Sequence, residues 1–125
     1  MPKFANIRSL AAGFLLVCAV STSAQVVVWN GGGASDDWSD GDNWAGGSPP
    51  GNDGTWTASF AGVNRLTPWT NSPWSLTGLS FAASAGSFEL GGSCLTLGSG
   101  GIGNMSSVPQ NVGNEVIMVA SQSFT

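Results

Sequence analysis

Three glycines in the last third of the sequence have the spacing of a phosphate-binding loop. Gly98, Gly100 and Gly103 form the pattern G-x-G-x-x-G directly after an apolar strand-like segment. In dinucleotide-binding proteins this pattern precedes a helix whose N-terminus holds the pyrophosphate. The residues after Gly103 have no apolar stripe, and Pro109 and Gly113 would interrupt a helix. We therefore predict that the glycines form a corner between strands and that no nucleotide cofactor binds there.

Carboxylates concentrate in a glycine-rich loop nearer the N-terminus. The stretch GGGASDDWS nearly matches the calcium-binding nonapeptide G-G-x-G-x-D-x-U-x, with Ala34 at the fourth position. Carboxylate oxygens suit Ca²⁺, which makes Asp36, Asp37, Asp40 and Asp42 candidate ligands. Such a site forms between successive copies of the motif, and the sequence contains one copy. The alternative, which we favour, is that these residues cap turns by accepting backbone N–H groups.

The remaining groups give little basis for catalysis. The chain contains no His and no Tyr, so the common general bases for an activated nucleophile are missing. Glu89 and Glu115 are the pair that a glycosidase would need, but nothing in their surroundings distinguishes them. Cys94 has no second cysteine close by in the sequence with which to build a zinc site. We therefore expect a non-enzymatic protein with no catalytic residues and, calcium aside, no cofactor.

The six tryptophans all lie between Trp29 and Trp74, and they allow two interpretations. Large aromatic side chains commonly fill the core of a small β domain and close one of its ends. We favour this interpretation. The alternative is a carbohydrate-binding β module in which exposed rings stack on sugars. Its candidate contacts are Trp38, Trp44, Trp69 and Trp74.

The N-terminal segment, residues 1–24, is predicted to be a signal peptide. Lys3 and Arg8 precede an apolar run over residues 10–20, and small residues lead to a cleavage site after Ala24. The run is too short to span a bilayer, so we expect no membrane insertion of the mature chain. Export to the extracellular space or the cell surface follows from this prediction.

Removal of the leader would leave a strongly acidic chain. Arg65 would be its single basic residue against seven acidic residues. Nucleic acids and anionic lipids are bound through clustered Lys and Arg side chains, so this composition excludes them as partners.

The sequence predicts that the candidate functional residues lie on short strands or in the turns between them. Apolar residues alternate in several short segments separated by Gly, Ser and Asn, and no window has the periodicity of a helix. Leu97 follows Leu79 after 18 positions, and Met118 follows Leu97 after 21 positions. Such spacing predicts a parallel β-solenoid, although a β-sandwich also fits it. We assign residues 25–75 to a Trp/Gly/Asp-rich N-terminal cap and residues 76–125 to the first rungs.

The chain resembles the beginning of secreted bacterial proteins with autotransporter-associated β-strand repeats. The stretch over residues 26–62 is similar to their pattern W-x-G-G…W…N-W…P-P…D…F. The segment over residues 76–104 is similar to their repeat entry, with L-x-F, F-x-L-x-G and L-x-L-x-x-G-G-I. The matching positions of the first pattern are Trp29, Gly31, Gly32, Trp38, Asn43, Trp44, Pro49, Pro50, Asp53 and Phe60.

The resemblance implies a right-handed parallel β-helix that is secreted or exposed on a cell surface. Its implied roles are passenger-type display, adhesion or matrix structure, with surface or matrix polysaccharide as a partner. It carries over no catalytic residues. Members of the family are much longer, so we expect this chain to be a fragment. The strands around Val116 and Met118 are followed by no recognisable cap, which predicts self-association end to end or through edge strands.

Overall fold

The computed structural model describes residues 25–120, which form an all-β arrangement of two parallel sheets. The predicted leader, residues 1–24, lies outside the described residues. Within residues 25–120 no α-helix occurs, and the helical element present is a short 3₁₀ turn, Gly41–Asn43. The all-β prediction is therefore confirmed.

Among the described residues, eight strands form the two sheets. The larger sheet contains, in spatial order, β1 (Gln25–Trp29), β2 (Trp56–Phe60), β4 (Trp74–Phe81), β6 (Leu95–Asn104) and β8 (Val116–Met118). The smaller sheet contains β3 (Trp69–Thr70), β5 (Glu89–Gly92) and β7 (Asn111–Val112). Every pairing between these strands is parallel, and from β3 onward consecutive strands alternate between the two sheets.

From β2 onward the register of the parallel pairs is nearly constant, whereas opposed residues of β1 and β2, such as Gln25 and Trp56, are 31 positions apart. Phe60 lies opposite Phe81 and Leu97 lies opposite Met118, and both pairs have the same separation of 21 positions in the sequence. The pairing of Leu97 with Met118 confirms the spacing predicted from the sequence. The predicted pairing of Leu79 with Leu97 is wrong, because Leu79 lies opposite Ile102.

The cause of that error is a bulge among the glycines of β6. Between two pairs of opposed residues, β4 contains Thr77 alone whereas β6 contains residues 98–100. A Cβ on Gly100 would lie 2.9 Å from the Thr77 carbonyl oxygen and 3.1 Å from Gly78 Cα, so the two strands approach too closely for a side chain. The predicted corner is therefore also wrong. Gly98, Gly100 and Gly103 lie within a strand.

The core lies along the inward-facing positions of the strands. Alternation of small polar and apolar residues directs one side chain of each pair inward. The buried core contains Val27, Trp29, Trp38, Trp44, Ala58, Phe60, Trp74, Leu76, Leu79, Phe81, Ala85, Phe88, Leu90, Leu95 and Leu97. The boundary predicted between residues 75 and 76 lies inside β4, and this single core extends across it.

Candidate functional site

The tryptophans proposed to contact sugars are mostly inside the protein. Trp38, Trp44 and Trp74 expose 0%, 1% and 8% of their surface. Trp38 and Trp44 pack edge to face at 5.4 Å between ring centroids, and the Trp44 indole N–H donates to the Trp38 carbonyl at 2.8 Å. The prediction of glycan contact is therefore wrong for these three residues, because their rings form the core.

Trp69 is different, since 53% of its surface is exposed. It lies in β3 opposite Gly91 of β5, and its ring covers that glycine so closely that a Cβ there would lie 2.9 Å from Trp69 Cζ3. Glu89 and Asn111, both exposed, lie on neighbouring strands of the same sheet, and the Asn111 amide donates to the Glu89 carboxylate at 3.4 Å. The outer face of the smaller sheet thus combines one open indole ring with polar groups.

The glycine-rich loop after β1 is organised by a buried asparagine. Asn43 donates its amide to the carbonyls of Ser35 at 2.8 Å and Asp37 at 3.0 Å, and its Oδ1 accepts the Gly33 N–H at 2.9 Å. Its own carbonyl accepts the N–H of Asn30. Asn43 is fully buried, so one side chain ties together three points of the loop.

Asp36 of this loop is already occupied by other groups of the chain. Its Oδ1 lies 3.1 Å from the guanidinium of Arg65, and its Oδ2 accepts the Thr67 hydroxyl at 2.9 Å. The Arg65 guanidinium also donates to the Gly33 carbonyl at 2.9 Å. Arg65 adopts a left-handed backbone conformation, with φ of 50°, and its side chain joins the loop to the segment before β3.

Asp40 caps the turn that leads into the 3₁₀ segment. Its Oδ1 accepts the Asp42 N–H at 3.2 Å, and its Oδ2 accepts the Ala34 N–H at 3.1 Å and the Ser35 hydroxyl at 3.3 Å. Desolvation acts to raise the pKa of Asp40, but these hydrogen bonds outweigh it and hold the pKa below the ordinary value.

The four candidate calcium ligands are therefore not brought together as a cation site. Among residues 25–120, no group of three or more His, Cys, Asp or Glu side chains is arranged to hold a metal ion. Both oxygens of Asp36 and both of Asp40 accept hydrogen bonds from the chain. The interpretation of these residues as turn caps describes Asp40, and this arrangement gives no support to the calcium-ligand prediction for Asp36, Asp37, Asp40 and Asp42.

The positions of the two glutamates do not match a glycosidase pair, and the glycine motif does not match a phosphate-binding loop. Glu89 lies in β5 of the smaller sheet, whereas Glu115 immediately precedes β8 of the larger sheet. Both side chains are exposed to solvent. The backbone of Gly98 and Gly100 faces β4, so it forms no cradle for a phosphate.

A cleft of about 410 Å³ lies beside β1 and β2 of the larger sheet. Its walls include Val26 of β1, Pro49 of the following loop and the half-buried ring of Trp56. Ser48 contributes a hydroxyl, and the residues that line the cleft include no titratable side chain. The cleft can accommodate an apolar group, and its lining provides no acid or base to activate the Ser48 hydroxyl.

Sequence reasoning did not predict which polar residues are buried, and these are Asn43, Thr70 and Asn114. Asn114, between β7 and β8, is 7% exposed and donates its amide to the Thr70 hydroxyl at 3.0 Å and to the Ser93 carbonyl at 2.7 Å. In the sequence it stands in VGNE, between Val112 and the apolar residues that begin at Val116. An asparagine at such a position is typical of an exposed turn, so the sequence contains no signal for its burial.

The comparisons with known proteins give no relative. No family model, no curated protein and no solved structure matches the chain. Among residues 25–120, no helix is long and apolar enough to cross a membrane.

Proposed function

We propose that this chain contains the capped beginning of a right-handed parallel β-helix and that it has a structural or adhesive role in an exported protein. The observation that carries the proposal is the repeated register. Opposed residues are 21 to 23 positions apart in every pairing from β2 to β8. Each stretch of 21 to 23 residues supplies one strand to each sheet, and we call such a stretch a coil.

The alternation of strands between the two sheets supports the β-helix. The chain passes from β4 to β5 in the other sheet, returns to β6, and repeats this with β7 and β8. Such connections between parallel strands are right-handed in nearly all proteins. The buried rings of Trp29, Trp38 and Trp44 then serve as the cap that a stack of coils needs at its first strand.

The chemistry of the surface favours a structural or adhesive role over catalysis. Outward-facing strand positions have small hydroxyl-bearing side chains, such as Thr57, Ser59 and Ser80, and charged residues are few. The resemblance to secreted proteins with autotransporter-associated β-strand repeats points in the same direction. In that interpretation residues 1–24 direct export, and the mature protein is displayed outside the cell.

The β-helix is tested by cross-linking opposed residues. In a Cys94→Ser background, Thr96→Cys and Ile117→Cys introduce thiols on adjacent strands, whose backbones lie about 4.8 Å apart. We expect a disulfide on mild oxidation, seen as a mass loss of about 2 Da, because this separation is within disulfide range. The matched control pairs Ser59→Cys with Ile117→Cys, which are on β2 and β8 with two strands between them. A disulfide in the control alone would contradict the register.

Export and display are tested in a bacterial host. The chain is expressed with residues 1–24 intact, and its N-terminus, location and accessibility to added protease are determined. We expect a product that begins at Gln25 and is found outside the cytoplasm. An intact leader on a cytoplasmic protein would refute the export proposal and leave the fold proposal standing.

Sugar binding through Trp69 is a second candidate function. The observation that favours it is the half-exposed ring beside Glu89 and Asn111 on one sheet face. Stacking of a sugar on the ring is expected to change its fluorescence and to disappear in Trp69→Ala. Val63→Ala, another exposed apolar residue, is the matched control. Titration with soluble surface polysaccharides that leaves the fluorescence unchanged would refute this candidate.

A further inference from the structure

The outer face of the smaller sheet is built from rows of side chains that run across its strands. In β3 Trp69 is exposed whereas Thr70 is buried, so successive side chains alternate between solvent and core. Residues at opposed positions of parallel strands therefore lie side by side on one face. The row of Trp69 continues with Gly91 of β5 on one side, and with Asp37 on the other through an isolated parallel bridge.

Gly91 determines where the indole ring of Trp69 lies on this face. A Cβ at Gly91 would be 2.9 Å from Cζ3 and 3.1 Å from Cε3 of Trp69, so the six-membered ring extends across the glycine backbone. The residue nevertheless exposes 53% of its surface. Within residues 25–120 the indole N–H of Trp69 donates to no other group. The ring thus has a support on the neighbouring strand and a surface on which a ligand can stack.

Two carboxylates flank this ring. Asp37 lies directly opposite Trp69, and its side chain points to solvent because that of the next residue, Trp38, is buried in the core. Glu89 stands two positions before Gly91 in β5 and points to the same outer face, so it is a diagonal neighbour of Trp69. We call the indole of Trp69 and the carboxylates of Asp37 and Glu89 the acidic indole site.

The described chain supplies no cation to these carboxylates. Arg65 is the single basic residue among residues 25–120, and its guanidinium is paired with Asp36 at 3.1 Å. Within the same range, no ion pair involves Asp37 or Glu89. Complementary charge favours one partner over another, so a positively charged ligand fits the acidic indole site better than a negatively charged one.

The indole ring adds a second reason for a cation to bind here. The face of a tryptophan ring is negative and attracts ammonium groups, and the carboxylates attract the same groups by their charge. Each effect is small at an exposed position. In the acidic indole site the ring and both carboxylates lie on one face of adjacent strands, so they act on the same ligand.

Polar side chains on either side of the ring favour a sugar over a basic peptide. Asn111 continues the row of Glu89, and its amide donates to that carboxylate at 3.4 Å. On the other side the exposed Asn71 donates to the Ser39 hydroxyl at 2.9 Å. Amide and hydroxyl groups can bond to the hydroxyls of a sugar that stacks on the ring, whereas a lysine side chain offers its ammonium group alone.

We propose that the acidic indole site binds polysaccharides whose sugars have protonated amino groups, such as polymers of unacetylated glucosamine. The inference rests on the sugar-binding candidate proposed above for Trp69, and it specifies the class of sugar. The sugar ring stacks on the indole, and its ammonium group is attracted by the carboxylates of Asp37 and Glu89. The same two carboxylates repel acidic polysaccharides.

Oligosaccharides that differ in one chemical group test the proposal on the unmodified full chain. The chain is titrated at pH 5.5, where glucosamine amines are charged, with a β-1,4-linked glucosamine tetramer, with the same tetramer after N-acetylation, and with a galacturonic acid tetramer. The indole N–H signal of Trp69 in nitrogen–proton correlation spectra, identified by its absence in Trp69→Ala, reports binding at the site. We expect the glucosamine tetramer to bind about tenfold more tightly than its acetylated form. Added salt is expected to reduce this preference.

Substitutions that remove charge locate the contact. Glu89→Gln and Asp37→Asn preserve the shape of each side chain, and each is expected to weaken binding of the glucosamine tetramer by about two- to fivefold. Their effect on the acetylated tetramer should be smaller. Glu115→Gln removes the same charge at an exposed position beside the larger sheet, and this matched control should leave the preference unchanged. Circular dichroism reports whether each variant is folded.

Gly91→Ala tests the support of the ring. The added Cβ would displace the six-membered ring of Trp69, so we expect both glucosamine tetramers to bind about threefold more weakly or worse. Gly98→Ala, whose Cβ would have its nearest contact at 3.5 Å in the larger sheet, is the matched control. Equal affinities of the two variants would show that the ring position does not contribute to binding.

The remaining outcomes would overturn the proposal in distinct ways. Equal affinity for the charged and the acetylated tetramer would leave the sugar-binding candidate standing and refute the preference for an amine. A Trp69 signal that responds to none of the sugars would refute both. Tighter binding of the galacturonic acid tetramer, or an equal loss in Glu115→Gln, would show that the two carboxylates do not select the ligand. Tetralysine bound as tightly as the glucosamine tetramer would identify a basic peptide as the ligand class.

Discussion

Phe60 and Phe81 stack on each other across two adjacent parallel strands, with ring centroids 5.4 Å apart and planes inclined by 29°. Phe60 belongs to the tryptophan-rich region, whereas Phe81 belongs to the repeated strands that follow. Phe60 also contacts Trp38 at 5.8 Å between ring centroids and Phe88 at 5.4 Å. The two regions distinguished by composition therefore share one core at this residue, and we expect them to unfold together.

Truncation of Phe60 tests this coupling. Phe60→Ala is expected to destabilise the protein by about 3–5 kcal/mol, because it removes a fully buried ring from the centre of the cluster. Urea unfolding followed by tryptophan fluorescence and by far-ultraviolet circular dichroism should give one shared, shifted transition. Val63→Ala, at a side chain 67% exposed, is the control and should change stability by less than about 0.5 kcal/mol. Separate transitions for the two probes would show that the cap and the later strands unfold independently.

The strands that could be predicted from the sequence are those with a clear alternation of apolar residues. Val26–Trp29, Leu95–Leu97 and Val116–Met118 each alternate or are rich in strand formers, and each lies in an observed strand. β3 and β7 were missed, since such short strands show no period.

Features that depend on contacts between residues far apart in the sequence could not be predicted from the sequence. A glycine spacing does not reveal whether the backbone bends around a phosphate or approaches another strand, as Gly100 approaches Gly78. The sequence likewise does not indicate whether an aromatic side chain is buried or exposed. Trp38 and Trp69 belong to one tryptophan-rich segment, yet one is fully buried and the other is half exposed.

The buried amide of Asn43 gives a second prediction. Asn43→Ala would leave the Gly33 N–H and the carbonyls of Ser35 and Asp37 without this partner. Three hydrogen bonds at about 1 kcal/mol each suggest a loss of about 3 kcal/mol in the free energy of unfolding. Urea denaturation provides the measurement.

Asn71→Ala is the matched control for Asn43. Asn71 is exposed and donates one hydrogen bond, to the Ser39 hydroxyl at 2.9 Å. Its loss should change stability by about 0.5 kcal/mol or less. Equal effects of the two substitutions would mean that the loop does not depend on the interior position of Asn43.

The glycine motif gives a third prediction, which separates the strand bulge from a phosphate-binding loop. A Cβ on Gly98 would have its nearest contact at 3.5 Å, an ordinary van der Waals distance, whereas one on Gly100 would meet the Thr77 carbonyl oxygen at 2.9 Å. We therefore expect Gly98→Ala to be tolerated within about 0.5 kcal/mol and Gly100→Ala to destabilise by about 1–3 kcal/mol. Thermal unfolding of the two variants provides the comparison. A larger loss for Gly98→Ala than for Gly100→Ala would contradict the bulge.

The last prediction concerns the fall in the free energy of unfolding at acidic pH, to which Asp53 contributes. The Thr55 hydroxyl donates to Asp53 Oδ1 at 2.7 Å and the Thr55 N–H donates to the same oxygen at 3.0 Å, and these bonds lower the pKa of Asp53. A carboxyl with a lowered pKa binds fewer protons in the folded state than in the unfolded state, so stability rises with pH where it titrates. This contribution is complete above the ordinary value of about 3.8 and is lost as the pH falls through the lower folded value.

Asp53→Asn should accordingly reduce the loss of stability on acidification. Urea midpoints measured at pH 7, 4 and 3 are expected to fall less between pH 4 and 3 in the variant than in the unmodified chain. At pH 7 the variant should be the less stable of the two, since an amide oxygen accepts these hydrogen bonds more weakly than a carboxylate does. Asp42→Asn, at an exposed position of the 3₁₀ turn, controls for the loss of one negative charge. An acid loss in Asp53→Asn as steep as in the unmodified chain would show that the bonds from Thr55 do not contribute to it.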